Sequence, residues 1–353
     1  MTMSARYPGA GARDKHDTGK ACRAAAVRAS AQKWTRGVTM RVPPNPPGDS
    51  MAASRLNTRM DVPAAPAPYR TQPPVIVARP ASQTTPLVFA SPHSGRQYPA
   101  EFLAATRLDA LGLRRSEDSF VEELFAAAVG HGAPLIHATF PRAWCDPNRE
   151  QWELDPAMFS EILPDWINTT SARVNAGLGT IARVVSSGET IYREKLTFAE
   201  AERRIAACWT PFHETLAALI QGTRAVFGQC VLIDCHSMPS HVPVGGRGDR
   251  LADIVLGDAH GTSCAPYIIR FVERKLVDLG YRVRRNDPYA GGYITRHYGR
   301  PREHVHALQI EIARDLYMDE TKFEHSSGFA ETRRDLTLLI EALAAEAARL
   351  SRH

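Results

Sequence analysis

Cys230-Val-Leu-Ile-Asp-Cys-His-Ser237 is a short apolar run that ends in polar residues. An apolar run of this length, without helical periodicity, is typical of a buried β-strand. Pro86-Leu-Val-Phe-Ala-Ser91 repeats the pattern and leads into Pro92-His-Ser-Gly95. Asp253-Ile-Val-Leu-Gly257 repeats it again and is closed by Asp258-Ala-His-Gly261. The chain therefore contains several buried strands, each followed directly by a polar turn.

Outward from these strands, helical and strand-like segments alternate. Further strands are predicted over residues 133–140, 281–285 and 307–312. Helical spacing of apolar residues predicts helices over 120–130, 196–227 (broken near Pro211), 267–279 and 327–350. This alternation predicts an α/β fold with a mixed or mainly parallel sheet. In such sheets ligands bind beyond the carboxyl ends of the strands, so the polar turns are expected to share one crevice.

The first 84 residues differ in composition from the rest. They hold 11 of the 25 prolines, and their 13 Lys and Arg against 4 Asp and Glu give a net charge of +9. Without apolar periodicity they cannot offset their chain entropy, so residues 1–84 are predicted to be a disordered basic extension. Residues 85–353 are predicted to form a single α/β domain. The extension fits either an Arg-rich targeting segment or residues added by an upstream start codon.

Composition also excludes several classes of function. Residues 85–353 carry a net charge of −4, so nothing in the domain favours nucleic acid. No apolar run approaches the ~18–20 residues that span a bilayer, which argues against a membrane role. The six cysteines are scattered, without a CxxC pair, and this indicates a reducing compartment such as the cytoplasm. The sequence assigns no oligomeric state.

Two histidines follow predicted strands: His93 and His236. Two imidazoles and one carboxylate make a hydrolytic zinc site with an open fourth position. Glu117 and Asp118, at the start of a predicted helix, are the candidate acids. Asp234, two residues before His236, could orient that ligand from behind. The alternative is that the histidines are satisfied turn or core residues and that the acids only favour the helix N-terminus.

Glu311 lies inside the apolar run Leu308-Gln-Ile-Glu-Ile-Ala313. A lone carboxylate there is expensive to bury unless it is paired or functional. A general base beside a metal site fits this position, and an ion pair with Arg314 or Lys322 is the alternative.

Three further groups are candidates for substrate contacts. Asn148-Arg149 could bind a carboxylate, because Arg makes bidentate contacts with carboxylates. Arg296, in the glycine-rich segment that begins at Gly291-Gly292, could be a second anion anchor. His260 could contact substrate or metal. The alternatives are a surface ion pair, a plain turn and a turn-closing histidine, respectively.

Seven motifs in one order resemble those of the N-formylglutamate amidohydrolase family. The resemblance covers residues 86–335 and rests on Ser91-Pro-His-Ser-Gly95, Glu117-Asp118, Asp146-Pro-Asn-Arg149, Asp234-Cys-His-Ser237, Gly257-Asp-Ala-His-Gly-Thr-Ser263, Gly291-Gly-Tyr-Ile-Thr-Arg296 and Gln309-Ile-Glu-Ile-Ala-Arg314. It implies a three-layer sandwich similar to zinc carboxypeptidases and succinylglutamate desuccinylases. It also implies hydrolysis of N-formyl-L-glutamate to formate and glutamate with one Zn²⁺ per chain.

The resemblance also implies roles for individual residues. His93 and His236 match the zinc-binding histidines, Asn148-Arg149 the carboxylate-binding pair, and Glu311 the base. The carboxypeptidase pattern has its acidic ligand three residues after the first histidine, where this chain has Arg96. Asp118 is therefore the implied ligand, with Glu117 as the alternative.

Three other functions remain in competition. A zinc deacylase or carboxypeptidase could act on another N-acyl amino acid, since pocket size decides the acyl group. A non-catalytic module could keep the fold and bind a small acidic ligand. The basic extension could contact nucleic acid or a membrane, although its charges are dispersed.

Overall fold

A computed structural model describes residues 73–241 and 252–350, with the side chains of 348–350 left out. All described residues belong to one compact unit. Residues 1–72, most of the predicted disordered extension, lie outside the described residues. In the part that is described, no helix is long and apolar enough to cross a membrane, and all five cysteines are free.

A seven-stranded mixed sheet forms the centre of the unit. Its strands are β1 Val75–Ala78, β2 Leu87–Ser91, β3 Leu135–Ala138, β4 Cys230–Met238, β5 Ile254–Gly257, β6 Val283–Arg285 and β7 Val305–Ala313. Across the sheet their order is β1-β3-β2-β4-β7-β5-β6. Strands β3, β2, β4 and β7 pair in parallel, whereas β1 and β5 pair antiparallel to their neighbours β3 and β7. A small ribbon, β8 Met318–Asp319 with β9 Glu324–His325, follows.

Helices cover both faces of the sheet. The helices are α1 Ala100–Ala105, α2 Ala110–Arg114, α3 Val121–Leu124, α4 Ala172–Asn175, α5 Phe198–Arg204, α6 Thr210–Phe227, α7 Pro266–Asp278, α8 Tyr293–Tyr298 and α9 Phe329–Leu350. Apolar residues of α5 and α6 pack on one face, and those of α3, α7 and α9 pack on the other. The prediction of a three-layer α/β sandwich with a mixed, mainly parallel sheet is confirmed.

Two predicted helices differ in detail. Residues 196–227, predicted as one long helix or a helix pair broken near Pro211, form α5 and α6 with a π-helical segment, Ile205–Trp209, between them. Pro211 lies in the first turn of α6, where a missing N–H costs little. Residues 120–130 form only the single turn α3 and a short 3₁₀ segment.

Strand β1 was not predicted. It lies before residue 85, so the sheet begins ten residues earlier than the predicted domain boundary. Its flanking prolines, Pro73, Pro74 and Pro80, read as linker composition. Proline is tolerated beside an edge strand, and β1 is such a strand because it pairs only with β3.

Strand alternation places the polar residues of β4 and β7 on one side of the sheet. Leu232 and Ala307 pack on the α6 side. Side chains alternate along a strand, so the same side of the sheet also carries Asp234 and His236 of β4 and Glu311 of β7. These three residues lie nearer the carboxyl ends of the strands. The register pairs His236 with Glu311.

We expect the sheet core to dominate stability. Val231→Ala, in β4 and fully buried, should lower the free energy of unfolding by about 2 kcal/mol, because two buried methyl groups are lost and a cavity remains. Val226→Ala is the matched control, because that side chain is 73% exposed. Urea denaturation measures both. Equal effects at the two positions would contradict the assignment of the core.

Candidate active site

Two histidines are fixed from behind by carboxylates. His93, in the turn after β2, has Nε2 2.7 Å from Asp146 Oδ1. His236, in β4, has Nε2 2.9 Å from Asp234 Oδ1. All four side chains are buried. An imidazole whose Nε2 is held by a carboxylate presents Nδ1 as a ligand, so both rings are prepared to bind a metal through Nδ1.

Asp118 completes this arrangement. Its Oδ2 lies 3.3 Å from His93 Nδ1 and 3.0 Å from His236 Nδ1. The three residues offer ligand atoms within 4.8 Å of one another and could hold a metal ion. The backbone N–H of Asp118 donates to the carbonyl of His93, which ties the two turns together. Two imidazole nitrogens and one carboxylate oxygen, all buried, fit a catalytic zinc site.

Glu117 is occupied elsewhere. Its carboxylate accepts hydrogen bonds from Tyr98 Oη at 2.6 Å, Ser119 Oγ at 2.6 Å and Arg114 Nε at 3.1 Å. It is not part of the group that could hold a metal among the described residues. Of the two acids considered from the sequence, the structure brings Asp118 to the histidines and uses Glu117 to anchor the turn.

Asp146 is a site residue that the sequence analysis did not single out. Besides holding His93, it accepts from Arg142 Nη2 at 2.7 Å and from the backbone N–H of Asn148 at 2.8 Å. Burial alone would raise its pKa, but the charges of Arg142 and Arg149 outweigh burial and hold the pKa well below the usual range. A permanently ionised partner keeps His93 oriented. Its place in Asp146-Pro-Asn-Arg149 was the available signal.

The charges in the cluster favour a bound cation. Burial opposes ionisation of Asp118, yet hydrogen bonds from His236 and His93 hold its pKa well below the usual range. Burial also disfavours the imidazolium form of His236, but Asp234 and Asp118 raise its pKa well above the usual range. Without a metal, these charges favour the imidazolium form of His236, which carries a proton on Nδ1. A divalent cation bound at Nδ1 would replace that proton.

Glu311 stands beside His236 in the neighbouring strand. Gln309 Nε2 donates to Glu311 Oε1 at 2.8 Å, and the described residues offer no hydrogen bond to Oε2. Burial raises the pKa of Glu311 to about 8, against the opposing charges of His236 and Arg142. Arg314 bonds Asp118 at 3.2 Å and is not paired with Glu311. A buried carboxylate with a raised pKa is suited to accept and return a proton.

These groups open into one cavity of about 620 Å³. The sheet side carries the ligand group and Glu311. Further lining residues come from the segment 173–187, which begins in α4. The cavity is lined by His93, Ser116, Asp118, Arg142, Ala143, Asp146, Asn148, Arg149, Arg173, Leu178, Ala182, Val184, Ser186, Ser187, His236, Ser237, Pro239, His241, Tyr289, Ala290, Gly291, Gly292, Gln309, Glu311 and Arg314.

Asn148 and Arg149 line the cavity and are held rigidly. Asn148 Oδ1 accepts from the backbone N–H of Ile294 at 2.8 Å. A Cβ at Gly292 would lie 2.2 Å from Asn148 Nδ2, so only glycine lets the loop approach this closely. Arg149 donates from Nε to the carbonyl of Leu178 at 2.7 Å and from Nη1 to that of Asn148 at 2.8 Å.

Two of the candidate residues do not line the cavity. Arg296 is exposed and donates from Nη1 to the carbonyl of Gly291 at 2.6 Å. His260 is exposed in a left-handed conformation with φ of 56°. The adjacent Asp258 closes that turn by accepting from the N–H of Gly261 at 2.9 Å. Both side chains are therefore exposed and lie outside the cavity that holds the histidine cluster.

Several known proteins are similar to this chain. Residues 85–318 match the family model described as N-formylglutamate amidohydrolase. The chain is 34% identical over 265 residues to the N-formylglutamate deformylase of Pseudomonas aeruginosa PAO1, covering 74% of this chain and 93% of that protein. The corresponding Pseudomonas putida protein is 31% identical, with 74% and 92% covered. A crystal structure of N-formylglutamate amidohydrolase from Ralstonia eutropha JMP134 superimposes with a TM-score of 0.73 at 39% identity, covering 78% of this chain and 99% of that one.

The two neighbouring acids can be separated by mutation. Asp118→Asn should abolish tight binding of zinc, because the carboxylate facing both Nδ1 atoms is lost. Glu117→Gln should bind zinc as the wild type does, even if its melting temperature falls. Competition with a chromogenic chelator measures both affinities. If only the Glu117→Gln protein lost zinc binding, the acidic ligand would be Glu117 and not Asp118.

Proposed function

Because the chain belongs to the N-formylglutamate amidohydrolase family, we propose that it hydrolyses N-formyl-L-glutamate to formate and L-glutamate. The observation that carries this proposal is the convergence of His93, Asp118 and His236 beside the buried carboxylate of Glu311. Relatives named N-formylglutamate deformylase support the choice of substrate. Membership of the family supports hydrolysis of an amide bond. The proposal adds that the acyl group removed is formyl.

One zinc ion per chain is the proposed cofactor. His93, Asp118 and His236 would hold it, since their ligand atoms face one another and their outer atoms are already bonded. Bound there, zinc would supply Lewis-acid polarisation of a carbonyl group and acidification of water. Other divalent ions of the first transition row share this ligand preference, so metal analysis is part of the test.

Glu311 moves the proton. With Oε1 held by Gln309, its Oε2 is available to take a proton from the attacking water. Attack forms the new C–O bond at the formyl carbon. When the C–N bond breaks, Glu311 returns the proton to the departing nitrogen, which leaves as the amino group of glutamate. Water and the formamide are thereby converted to formic acid and the amine with Glu311 restored, and the formic acid ionises to formate.

Asn148 and Arg149 orient the substrate. Two backbone carbonyls fix the guanidinium of Arg149, and its Nη2 lies 3.6 Å from Asp146 Oδ2, too far for a hydrogen bond, so N–H groups remain for a substrate carboxylate. A substrate carboxylate bound there would have its neighbouring amide next to the histidine cluster, because Asn148 Nδ2 lies 3.2 Å from His236 Nε2. Such positioning lowers the activation barrier, because the substrate has already lost its translational and rotational freedom on binding.

A second candidate is a deacylase for a larger N-acyl amino acid. The cavity of about 620 Å³ is within the range that accepts drug-sized ligands, so its volume alone does not restrict the acyl group to formyl. Rates on N-acetyl- and N-succinyl-L-glutamate distinguish this candidate from the first.

The first experiment is a metal count with an assay of formate release. We expect about one zinc per chain and turnover of N-formyl-L-glutamate that is lost on chelation and regained with zinc. Bound metal without formate release, but with turnover of another N-acyl glutamate, would move the substrate to the second candidate. Bound metal with no turnover of any acyl amino acid would favour a binding module.

The assigned base is tested by Glu311→Gln. This variant should bind zinc normally yet lose about 10²- to 10⁴-fold in kcat, because the amide cannot accept the proton. Glu303→Gln, at an exposed position outside the cavity, is the control and should retain activity. Near-normal kcat in Glu311→Gln with full metal content would show that another group serves as the base.

A further inference from the structure

Arg173 differs from the other arginines that line the cavity. Arg142 donates to Asp146, Arg149 to two backbone carbonyls, and Arg314 to Asp118. Arg173 is exposed, and across residues 73–241 and 252–350 its guanidinium has no recorded hydrogen bond or ion pair. It is thus the lining arginine whose charge is left for a ligand.

The surroundings of Arg173 add to its positive field. Burial lowers the pKa of Arg149 to about 10, and the nearby charge of Arg173 acts in the same direction. Burial and Arg173 together also lower the pKa of Arg296. Glu153 is an acid in this neighbourhood, and it is outnumbered by the three guanidinium groups of Arg149, Arg173 and Arg296. This wall therefore carries excess positive charge.

The other charged groups of the lining are already engaged. Asp118 and Glu311 line the cavity together with the two histidines. Arg314 donates to Asp118 and Arg142 to Asp146, so neither guanidinium is left for a second substrate carboxylate. When the amide of an N-acyl dicarboxylic amino acid lies at the histidines, Arg173 is therefore, among the described residues, the lining group left to attract its side-chain carboxylate.

We propose that Arg173 binds the side-chain carboxylate of the substrate and selects acidic over neutral N-acyl amino acids. This inference rests on the proposed function. In it, Asn148 and Arg149 bind the other substrate carboxylate, the one next to the amide. The sequence pointed to Arg296 as the second anchor, but Arg296 is not among the residues that line the cavity. Arg173, on the single-turn helix α4, lies on the cavity wall in its place.

The test compares a charged substrate with its neutral isostere. In Arg173→Gln, kcat/KM for N-formyl-L-glutamate should fall roughly 10- to 100-fold, mainly through KM, because a charge-assisted contact is lost. For N-formyl-L-glutamine it should stay within about threefold. Arg173→Lys should give an intermediate loss, since it keeps the charge without the planar fork. Arg302→Gln, exposed and outside the cavity, is the control.

Binding provides a readout that does not depend on turnover. On the Glu311→Gln background, calorimetry should show N-formyl-L-glutamate binding more tightly than N-formyl-L-glutamine, and Arg173→Gln should abolish that difference. An unchanged ratio, or equal losses for both compounds, would overturn the role of Arg173 while leaving the proposed function intact. Absent formate release by the wild type, with the affinity ratio still dependent on Arg173, would overturn the function alone. No binding of either compound would overturn both.

Discussion

The pairing of β4 with β7 is the constraint on which the site depends. The two strands are parallel and in register from Cys230 opposite Val305 to Met238 opposite Ala313, and every residue of both is buried. A slip of one residue would move His236 or Glu311 to the other face of the sheet, into the apolar layer under α7 and α9. Burying those polar groups there without partners would be costly, so the apolar pattern of both strands fixes the register and, with it, the distance between ligand and base.

A hydrogen bond between Nε2 and an aspartate orients each of the two histidines, although the aspartates come from different segments of the chain. Asp234 reaches His236 from within the same strand, whereas Asp146 reaches His93 from a turn after another strand. Asp118 then bridges the two rings from a third segment. Each carboxylate is itself held: Asp118 by Arg314, Asp146 by Arg142, and Asp234 by Thr295 Oγ at 3.0 Å. The rings therefore have little freedom, and these hydrogen bonds preorganise the site.

Much of this architecture could be predicted from the sequence because short-range patterns determine it. Strand-like patterns predicted every strand of the seven-stranded sheet except β1, and the polar residues after two of them indicated His93 and His236. Asp118 needed the resemblance as well, since spacing alone did not separate it from Glu117. What the sequence left out depends on long-range contacts: the edge strand β1 between prolines, the contact of Asp146 with His93, and the charge of Arg173 in the cavity, unpaired among the described residues. Arg296 and His260 were candidates because of their residue types, but whether a side chain lines a cavity is decided by tertiary packing that no local pattern records.

The segment that carries Arg173 has a different origin from the ligand group. Arg173, Leu178, Ala182 and Val184 belong to the single-turn helix α4 and the turns after it, whereas His236 and Glu311 belong to paired strands. Arg173 is exposed and Leu178 is half-buried, and exchanges at these two positions leave the strand register untouched, because turns tolerate exchanges better than paired strands do. Gly292, packed against Asn148, is by contrast closed to any larger residue. Descendants of this fold can therefore change the ligand that the cavity accepts by drift at a few exposed positions, while the strands that carry His236 and Glu311 are inherited unchanged.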